Sequence, residues 1–196
     1  MANVFLDLGT HYGQGLREFI HLYRMDQSWK IRTYEANPVT RDIFLNNYHH
    51  LTPWVQSFLE AISDHNGILT VHLETPPGEG DTGMGTSVID LEQWNPWGLQ
   101  DRGHFQNHVD VPCVDLSEII INNYEKTDFI VVKMDIEGSE YDTLDRLIET
   151  GAIEYIDDLY VEWHSRFFNN KEEVEQREKA LIDKINQYNI KLESWK

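Results

Sequence analysis

The hydrophobic positions of the chain alternate between short continuous runs and runs with helical spacing. Residues 3–8 are almost wholly apolar and end at Gly9, which is typical of a buried parallel strand followed by a turn. Leu16, Phe19 and Tyr23 then recur at the spacing of an amphipathic helix. This first unit predicts a strand, a glycine turn and a helix.

The same alternation continues to the end of the chain. Further strands are predicted over residues 30–35, 54–62, 68–73, 109–114, 129–132, 155–163 and 190–195, and further helices after Asn37-Pro38, over residues 116–124, after Gly138 and over residues 171–187. A turn at residues 63–67 indicates a hairpin with the strand that follows, and the prolines and glycines of residues 75–85 predict a mobile surface loop. Strands that alternate with helices predict an α/β fold, with a mostly parallel sheet, helices on both faces and one domain over residues 1–196.

Composition narrows the class of protein. The chain has 196 residues, of which 40% are hydrophobic, and this excludes a wholly disordered or low-complexity protein. The net charge of −18 repels phosphate backbones and anionic lipids, so we expect neither a nucleic acid nor a membrane as partner. Cys113 is the single cysteine, which excludes an intrachain disulfide. Without an export signal or an apolar run of bilayer length, we expect a soluble, cytoplasmic protein.

Candidate chemistry begins at the end of the first strand. Asp7, Gly9 and Gly13 form a carboxylate and glycine turn that differs from the dinucleotide pattern G-x-G-x-x-G, and an ordinary tight turn is an equal alternative. Glu35 ends the second strand about twenty residues later, where an acidic side chain can accept hydrogen bonds from ribose hydroxyls. Asp64 follows the third strand and either contacts an adenine amino group or forms an Asx turn. The pattern favours an adenosine-containing ligand.

Five segments together resemble the FkbM-family methyltransferases. The resemblance runs from about Asn3 to His164 and rests on residues 7–13, residues 34–38, Val111-Pro112 with Asp115-Leu116, residues 133–140 and residues 161–164, of which residues 133–140 (Lys-Met-Asp-Ile-Glu-Gly-Ser-Glu) are the most specific. It implies a class I, Rossmann-like methyltransferase that uses S-adenosylmethionine and methylates a hydroxyl, commonly of a sugar or polyketide. In that class the fourth strand lies between the first and the fifth, so the groups at these strand ends would gather around the glycine loop, with His11 beside them.

Two strand ends carry the expected catalytic groups. Lys133, Asp135 and Glu137 alternate and so share one face if the strand persists through them, while Glu162 and His164 share a face of the next strand. We expect His164 to be the general base, because imidazole is neutral at pH 7 at its usual pKa of about 6.5, with Glu162 or Asp135 to orient it. Asp135 is alternatively a ligand of the cofactor ammonium or of the acceptor. Lys133 either neutralises the carboxylates or takes part in catalysis.

Three alternatives stay open. Asp135, Glu137, Glu162 and His164 are ligand types that suit Mg²⁺ or Mn²⁺, although the spacing singles out no third ligand and so favours a base with its partner. The aromatic residues Trp94, Trp97, His104 and Phe105 either form a platform for a sugar ring or anchor a long loop. The expected acceptor is a small molecule or a glycan, and the chain would suit a domain of a larger glycan-processing protein. The rival function is a non-catalytic domain that binds an adenosyl ligand.

Overall fold

A computed structural model describes residues 1–51, 54–73, 86–89, 92–94 and 107–195. These residues contain the strands Asn3–Leu8 (β1), Trp29–Tyr34 (β2), Val55–Phe58 (β3), Ala61–Ser63 (β4), Gly67–Leu73 (β5), Asn107–Asp115 (β6), Phe129–Met134 (β7), Asp158–Val161 (β8) and Lys191–Ser194 (β9). The α-helices are Gln14–Leu22 (α1), Pro38–Tyr48 (α2), Leu116–Asn123 (α3), Glu140–Thr150 (α4) and Lys171–Ile185 (α5), and short 3₁₀ helices lie at His49–Leu51, Ala152–Tyr155 and Ser165–Phe167.

Six strands form a sheet in the order β3-β2-β1-β7-β8-β9, and every neighbouring pair is parallel. The chain moves outward from β1 to β3 on one side and returns to the other side of β1 at β7. Leu8 is in register with Tyr34 and with Met134, so β1, β2 and β7 end at the same level. A crevice at this reversal is where open α/β sheets bind their ligands. The predicted α/β fold with a mostly parallel sheet is confirmed.

Alternating side chains of the strands supply a separate core on each face of the sheet. Phe5 packs with Phe19 of α1 in one core, whereas Leu6 packs in the other core with Ile120 of α3 and Leu144 of α4. Because successive strand residues point to opposite faces, the nearly continuous apolar runs bury the sheet on both sides. The predicted helices on both faces are therefore confirmed. Among the described helices, none is both long and apolar enough to span a bilayer.

The predicted strand over residues 54–62 and the predicted hairpin after it are wrong. Residues 54–62 hold two strands, since β3 joins the large sheet while β4 joins a small sheet of order β4-β6-β5. β5 pairs antiparallel with β6, about forty residues further along, and not with the strand before it. The cause is a small separate core in which Val71 of β5 and Val111 and Cys113 of β6 pack together. Periodicity identifies each strand here but does not identify its partner.

Two other predictions concern residues 155–163 and residues 75–85. The strand expected over residues 155–163 is limited to β8, because Ala152–Tyr155 forms a 3₁₀ helix before it. The predicted loop over residues 75–85, together with Trp97, His104 and Phe105, lies outside the described residues.

Candidate functional site

A cavity of about 370 Å³ opens at the carboxyl ends of β1, β2, β7 and β8. This volume falls within the range of small-molecule sites. Its walls include eight residues that the sequence singles out, namely Gly9, His11, Glu35, Lys133, Asp135, Glu137, Glu162 and His164. The loop after β1 and the end of β2 form one end of the cavity, and the segments after β7 and β8 form the other.

The glycine loop is pressed against the ends of its two neighbouring strands. Gly9 has φ +75°, and a Cβ atom on it would lie 1.7 Å from the Asp135 carbonyl oxygen. The N–H groups of Gly9 and Thr10 both donate to the carbonyl oxygen of Tyr34 at the end of β2. Only glycine combines this positive φ with so close an approach to another backbone. Gly9, Thr10 and His11 thereby line the cavity floor.

Glu35 is fixed by the loops on both sides of it. Its carboxylate accepts hydrogen bonds from the backbone N–H of His11 at 2.7 Å and from that of Asn37 at 2.8 Å. The residue is 9% exposed and lines the cavity. Each carboxylate oxygen has two lone pairs, so Glu35 can accept further hydrogen bonds from a ligand. The fold therefore holds an oriented anionic acceptor at this end of the cavity.

Two residues of the predicted cofactor loop do not line the cavity. Asp7 is fully buried beneath it, 3.6 Å from the Lys133 ammonium, and burial raises the pKa of the Asp7 carboxyl. Gly13 has φ +89°, and a Cβ atom on it would lie 2.5 Å from the Tyr48 ring and 2.9 Å from the Phe44 ring. Asp7 therefore lies beneath the loop, and Gly13 lies against two aromatic rings of α2.

Asp64 does not reach the cavity either. It lies in the turn between β4 and β5, where its carboxylate accepts a hydrogen bond from Ser63 and lies 2.6 Å from Nδ1 of His65. The alternative of a local polar turn describes this position better than a contact with adenine. Glu60, Ala61 and Ile62, just before it, line the cavity instead.

Lys133 lies between the glycine loop and the catalytic strand ends. Its buried Nζ donates to the carbonyl oxygen of Gly9 at 2.6 Å and lies 3.0 Å from Oδ2 of Asp135. Burial opposes the charged form, but the Asp135 and Asp7 carboxylates outweigh it and raise the pKa of Lys133. A lysine that stays charged in these contacts matches the neutralising role rather than that of a proton acceptor.

Three carboxylates converge on one nitrogen of His164. Nε2 lies 3.5 Å from Glu137, 3.6 Å from Glu162 and 3.8 Å from Asp135. His164 is only 1% exposed, while each of the three acidic side chains is partly open to the cavity. The structure thus brings together four of the five groups that were predicted at these strand ends. The predicted placement on strand faces is wrong, because β7 ends at Met134 and β8 at Val161, and the four groups lie just beyond them.

Glu140 is a site residue that the sequence reasoning missed. One of its oxygens lies 2.9 Å from Nδ1 of His164, and the carboxylate also accepts the backbone N–H groups of Ile136 and Gly138. The carboxylate fixes the turn after β7 and, by holding Nδ1, aims Nε2 at the acidic cluster. Its position in the first turn of a helix was the available signal, but acidic residues are common there as partners of the helix dipole.

The electrostatics of His164 contradict its expected protonation state. Burial alone would lower its pKa, but the Glu140 carboxylate, with Glu137 and Asp135, raises the pKa of His164 to about 9. Burial also raises the pKa of the Glu137 carboxyl well above its usual value. A pKa above neutral favours the protonated imidazole while the site holds no ligand or ion, and this argues against His164 as the resting base that the sequence predicted. The carboxyl groups around His164 favour the binding of a positive charge.

Arg166 and Phe167 line the cavity beside His164, and Trp195 lines it beside Lys133. Arg166 donates to the Glu162 carboxylate at 2.7 Å and stacks over the Phe167 ring at 4.3 Å. Trp94 is buried and packs edge-on against the Phe167 ring. Of the two alternatives for Trp94, the structure favours the anchor over the exposed platform.

One subset of these groups has the spacing of metal ligands. Among the described residues, Asp135, Glu162 and His164 each place a ligand atom within 4.8 Å of the other two. This set supplies the third ligand that sequence spacing did not single out. It consists of two oxygen donors and one nitrogen donor, which suit Mn²⁺ or Mg²⁺.

Comparison with known proteins gives one similar solved structure and one matching family model. A solved crystal structure, that of methyltransferase FkbM from Methylobacillus flagellatus, is similar over 76% of this chain and 30% of its own, with 14% sequence identity and a TM-score of 0.45. The chain therefore spans less than a third of that protein. No curated protein matches the sequence. The family model described as the methyltransferase FkbM domain matches residues 7–189, and the chain accordingly belongs to the FkbM methyltransferase family.

Proposed function

We propose that this protein transfers a methyl group from S-adenosylmethionine to a hydroxyl oxygen, with a sugar of a glycoside or glycan as the acceptor. One observation carries the proposal: a single cavity joins the glycine loop and Glu35 at one end to the His164 cluster at the other. A bisubstrate methyl transfer needs an adenosyl site and a polar acceptor site that meet in one cavity. Membership in the methyltransferase family supports the same reaction class.

The cofactor end fits an adenosyl ligand. Glu35 can accept hydrogen bonds from both ribose hydroxyls while its two backbone contacts hold it in place. Gly9 allows the ligand to approach the backbone, and the first turn of α1 has no side-chain cap. When bound, S-adenosylmethionine supplies an electrophilic methyl carbon on a sulfonium.

The acceptor end fits a hydroxyl group. Asp135 and Glu162 can accept its hydrogen bond and orient the oxygen for in-line attack. As the oxygen forms its bond to the methyl carbon, the carbon–sulfur bond breaks and its electron pair stays on the sulfur of S-adenosylhomocysteine. The hydroxyl proton passes to a carboxylate of the cluster, because these carboxylates line the acceptor end of the cavity.

The acceptor wall supports a sugar in particular. Carboxylates that accept hydrogen bonds, the Arg166 guanidinium and the aromatic ring of Phe167 lie close together there. Sugars expose hydroxyls around their rim and C–H groups on their faces, and a wall of this kind offers partners to both.

The test has two stages. Calorimetry with S-adenosylmethionine and with S-adenosylhomocysteine measures binding, and a screen of glycosides that detects S-adenosylhomocysteine measures turnover. We expect binding of both ligands and turnover only with hydroxylated acceptors. Binding of both ligands without turnover of any acceptor would favour the rival, a non-catalytic adenosyl-binding domain. Absence of binding would refute both functions.

A further inference from the structure

The His164 cluster has the dimensions of a metal centre. Charge-assisted hydrogen bonds between nitrogen and oxygen measure about 2.7–2.9 Å. The carboxylate oxygens instead lie 3.5–3.8 Å from Nε2 of His164. Ligands at about 2.0–2.1 Å from one ion are separated by roughly 3.0 Å in an octahedron and 3.4 Å in a tetrahedron. The groups are therefore too far apart to bond well to one another and close enough to share one cation.

The orientation of His164 is an independent observation that points to a ligand. Its Nδ1 is held by the buried Glu140 carboxylate, which is itself fixed by two backbone N–H groups. Among the described residues, no hydrogen bond reaches Nε2, although His164 is 99% buried and this nitrogen points into the cluster. A carboxylate behind the imidazole is the usual arrangement of a metal-bound histidine, because it fixes the ring and raises the basicity of the other nitrogen.

We propose that the cluster binds one divalent cation through Asp135, Glu162 and Nε2 of His164. Two carboxylates and one imidazole match Mn²⁺, which accepts both oxygen and nitrogen ligands. Glu137 borders the site as a third carboxyl group. Lys133 and Arg166 pair with Asp135 and Glu162 and offset part of their negative charge.

The open side of this site faces the cavity. Because Asp135, Glu162 and His164 all line the cavity, the remaining coordination positions of a bound cation would be available to water or to an oxygen of the acceptor. This role rests on the proposed methyl transfer, in which the cation would hold the acceptor hydroxyl and lower its pKa. Binding of the cation itself is independent of that role and can be measured without cofactor or acceptor.

Mn²⁺ alone is the probe. Protein stripped with a chelator and dialysed is titrated with Mn²⁺, and the loss of the free-ion electron paramagnetic resonance signal gives the number of bound ions. We expect one Mn²⁺ per chain and a ¹⁴N coupling from imidazole in pulsed spectra. Asp135→Asn and Glu162→Gln should each weaken binding at least tenfold, and His164→Gln should remove the ¹⁴N coupling. Glu140→Gln should weaken binding by about 10- to 100-fold, the usual effect of removing a carboxylate behind a metal-bound histidine.

Asp64→Asn is the matched control, since it removes a carboxylate that also lies against a histidine but stands outside the cavity. It should bind Mn²⁺ as the wild type does. Circular dichroism and thermal melts select the variants that are folded, and Glu162→Gln, at a partly exposed position, keeps the test valid where a buried variant does not fold. Saturation by less than one ion, or equal affinity in wild type, Asp135→Asn and Glu162→Gln, would overturn the proposal. Either result leaves the adenosyl ligand test unaffected.

Discussion

Replacing Glu35 by glutamine separates the structural and the ligand-binding roles of this carboxylate. In the free protein, Glu35 accepts the N–H groups of His11 and Asn37 on different oxygens. Glutamine keeps one acceptor oxygen but turns an NH₂ group toward the other N–H, which leaves that donor unsatisfied. An unsatisfied buried donor costs about 1–3 kcal/mol, so we expect this loss in the free energy of unfolding.

The effect on ligand affinity is additional. Hydrogen bonds from ribose hydroxyls to a carboxylate are charge-assisted, and their loss is worth about 1.5–3 kcal/mol, or roughly 10- to 150-fold in Kd. S-adenosylmethionine and S-adenosylhomocysteine carry the same ribose, so Glu35→Gln should weaken both equally. A change confined to the sulfonium ligand would instead indicate an effect of overall charge.

Urea unfolding without ligand measures the first effect, and calorimetry on the folded fraction measures the second. Glu118→Gln is the control, because Glu118 accepts a hydrogen bond from Asn66 on the surface and does not line the cavity. It should change neither quantity measurably. If folded Glu35→Gln binds both ligands within about threefold of the wild type, the assignment of Glu35 to the ribose is refuted.

Three further predictions follow from contacts outside the acidic cluster. Gly9→Ala should destabilise the fold by more than about 1 kcal/mol and abolish binding of S-adenosylhomocysteine, because its Cβ would meet the Asp135 carbonyl oxygen; calorimetry and a thermal melt check this, and normal binding would contradict it. Asp64→Asn should leave the affinity for S-adenosylhomocysteine unchanged, and a loss of tenfold or more would restore Asp64 to the adenine site. Arg146→Ala should lower the free energy of unfolding at pH 7 by about 1 kcal/mol, which urea unfolding measures. Burial of Asp115 would raise its pKa, but the hydrogen bonds from Ser117 and Arg146 outweigh burial and lower the pKa. Because the pKa of Asp115 is lower in the folded state, the ionised carboxylate stabilises the fold above about pH 4, and this stabilisation is lost as the pH falls further. The difference in unfolding free energy between Arg146→Ala and the wild type should therefore shrink in acid, and a constant difference would refute the ion pair as its cause.

Local sequence patterns predicted most of the large sheet because β1 and β7 are nearly continuous apolar runs and β1, β2, β7 and β8 are each followed by a helix. The same patterns did not predict the small sheet. Periodicity records which face of a strand is buried, but the pairing of β5 with β6 depends on a core formed between segments about forty residues apart. Residues 54–62 look like one strand because both of its pieces are apolar, although they belong to different sheets.

In the candidate site too, local sequence patterns predicted which residues come together but not the effect of residues that are distant in sequence. The predicted order of parallel strands was sufficient to gather Asp135, Glu162 and His164, because parallel strands end at one edge of a sheet. The predicted alternation did not place them, since β7 ends at Met134 and β8 at Val161. The protonation of His164 was not predictable, since it depends on a buried carboxylate that approaches from the first turn of α4. Glu140 lies 24 residues from His164 in sequence, and nothing in its local pattern distinguishes it from an ordinary acidic residue of a helix start.

The segment from Lys133 to Glu140 links the two ends of the cavity mechanically. Lys133 donates to the carbonyl oxygen of Gly9, and the backbone of Asp135 leaves no room for a side chain there. Two residues later Glu137 adopts φ +51°, a strained conformation that the hydrogen bonds of Glu140 to this turn hold in place. Glu140 then orients His164. Substitutions within this segment should therefore alter cofactor affinity and acceptor turnover together, whereas Glu35, which is bonded only to the loops beside it, should affect cofactor affinity alone.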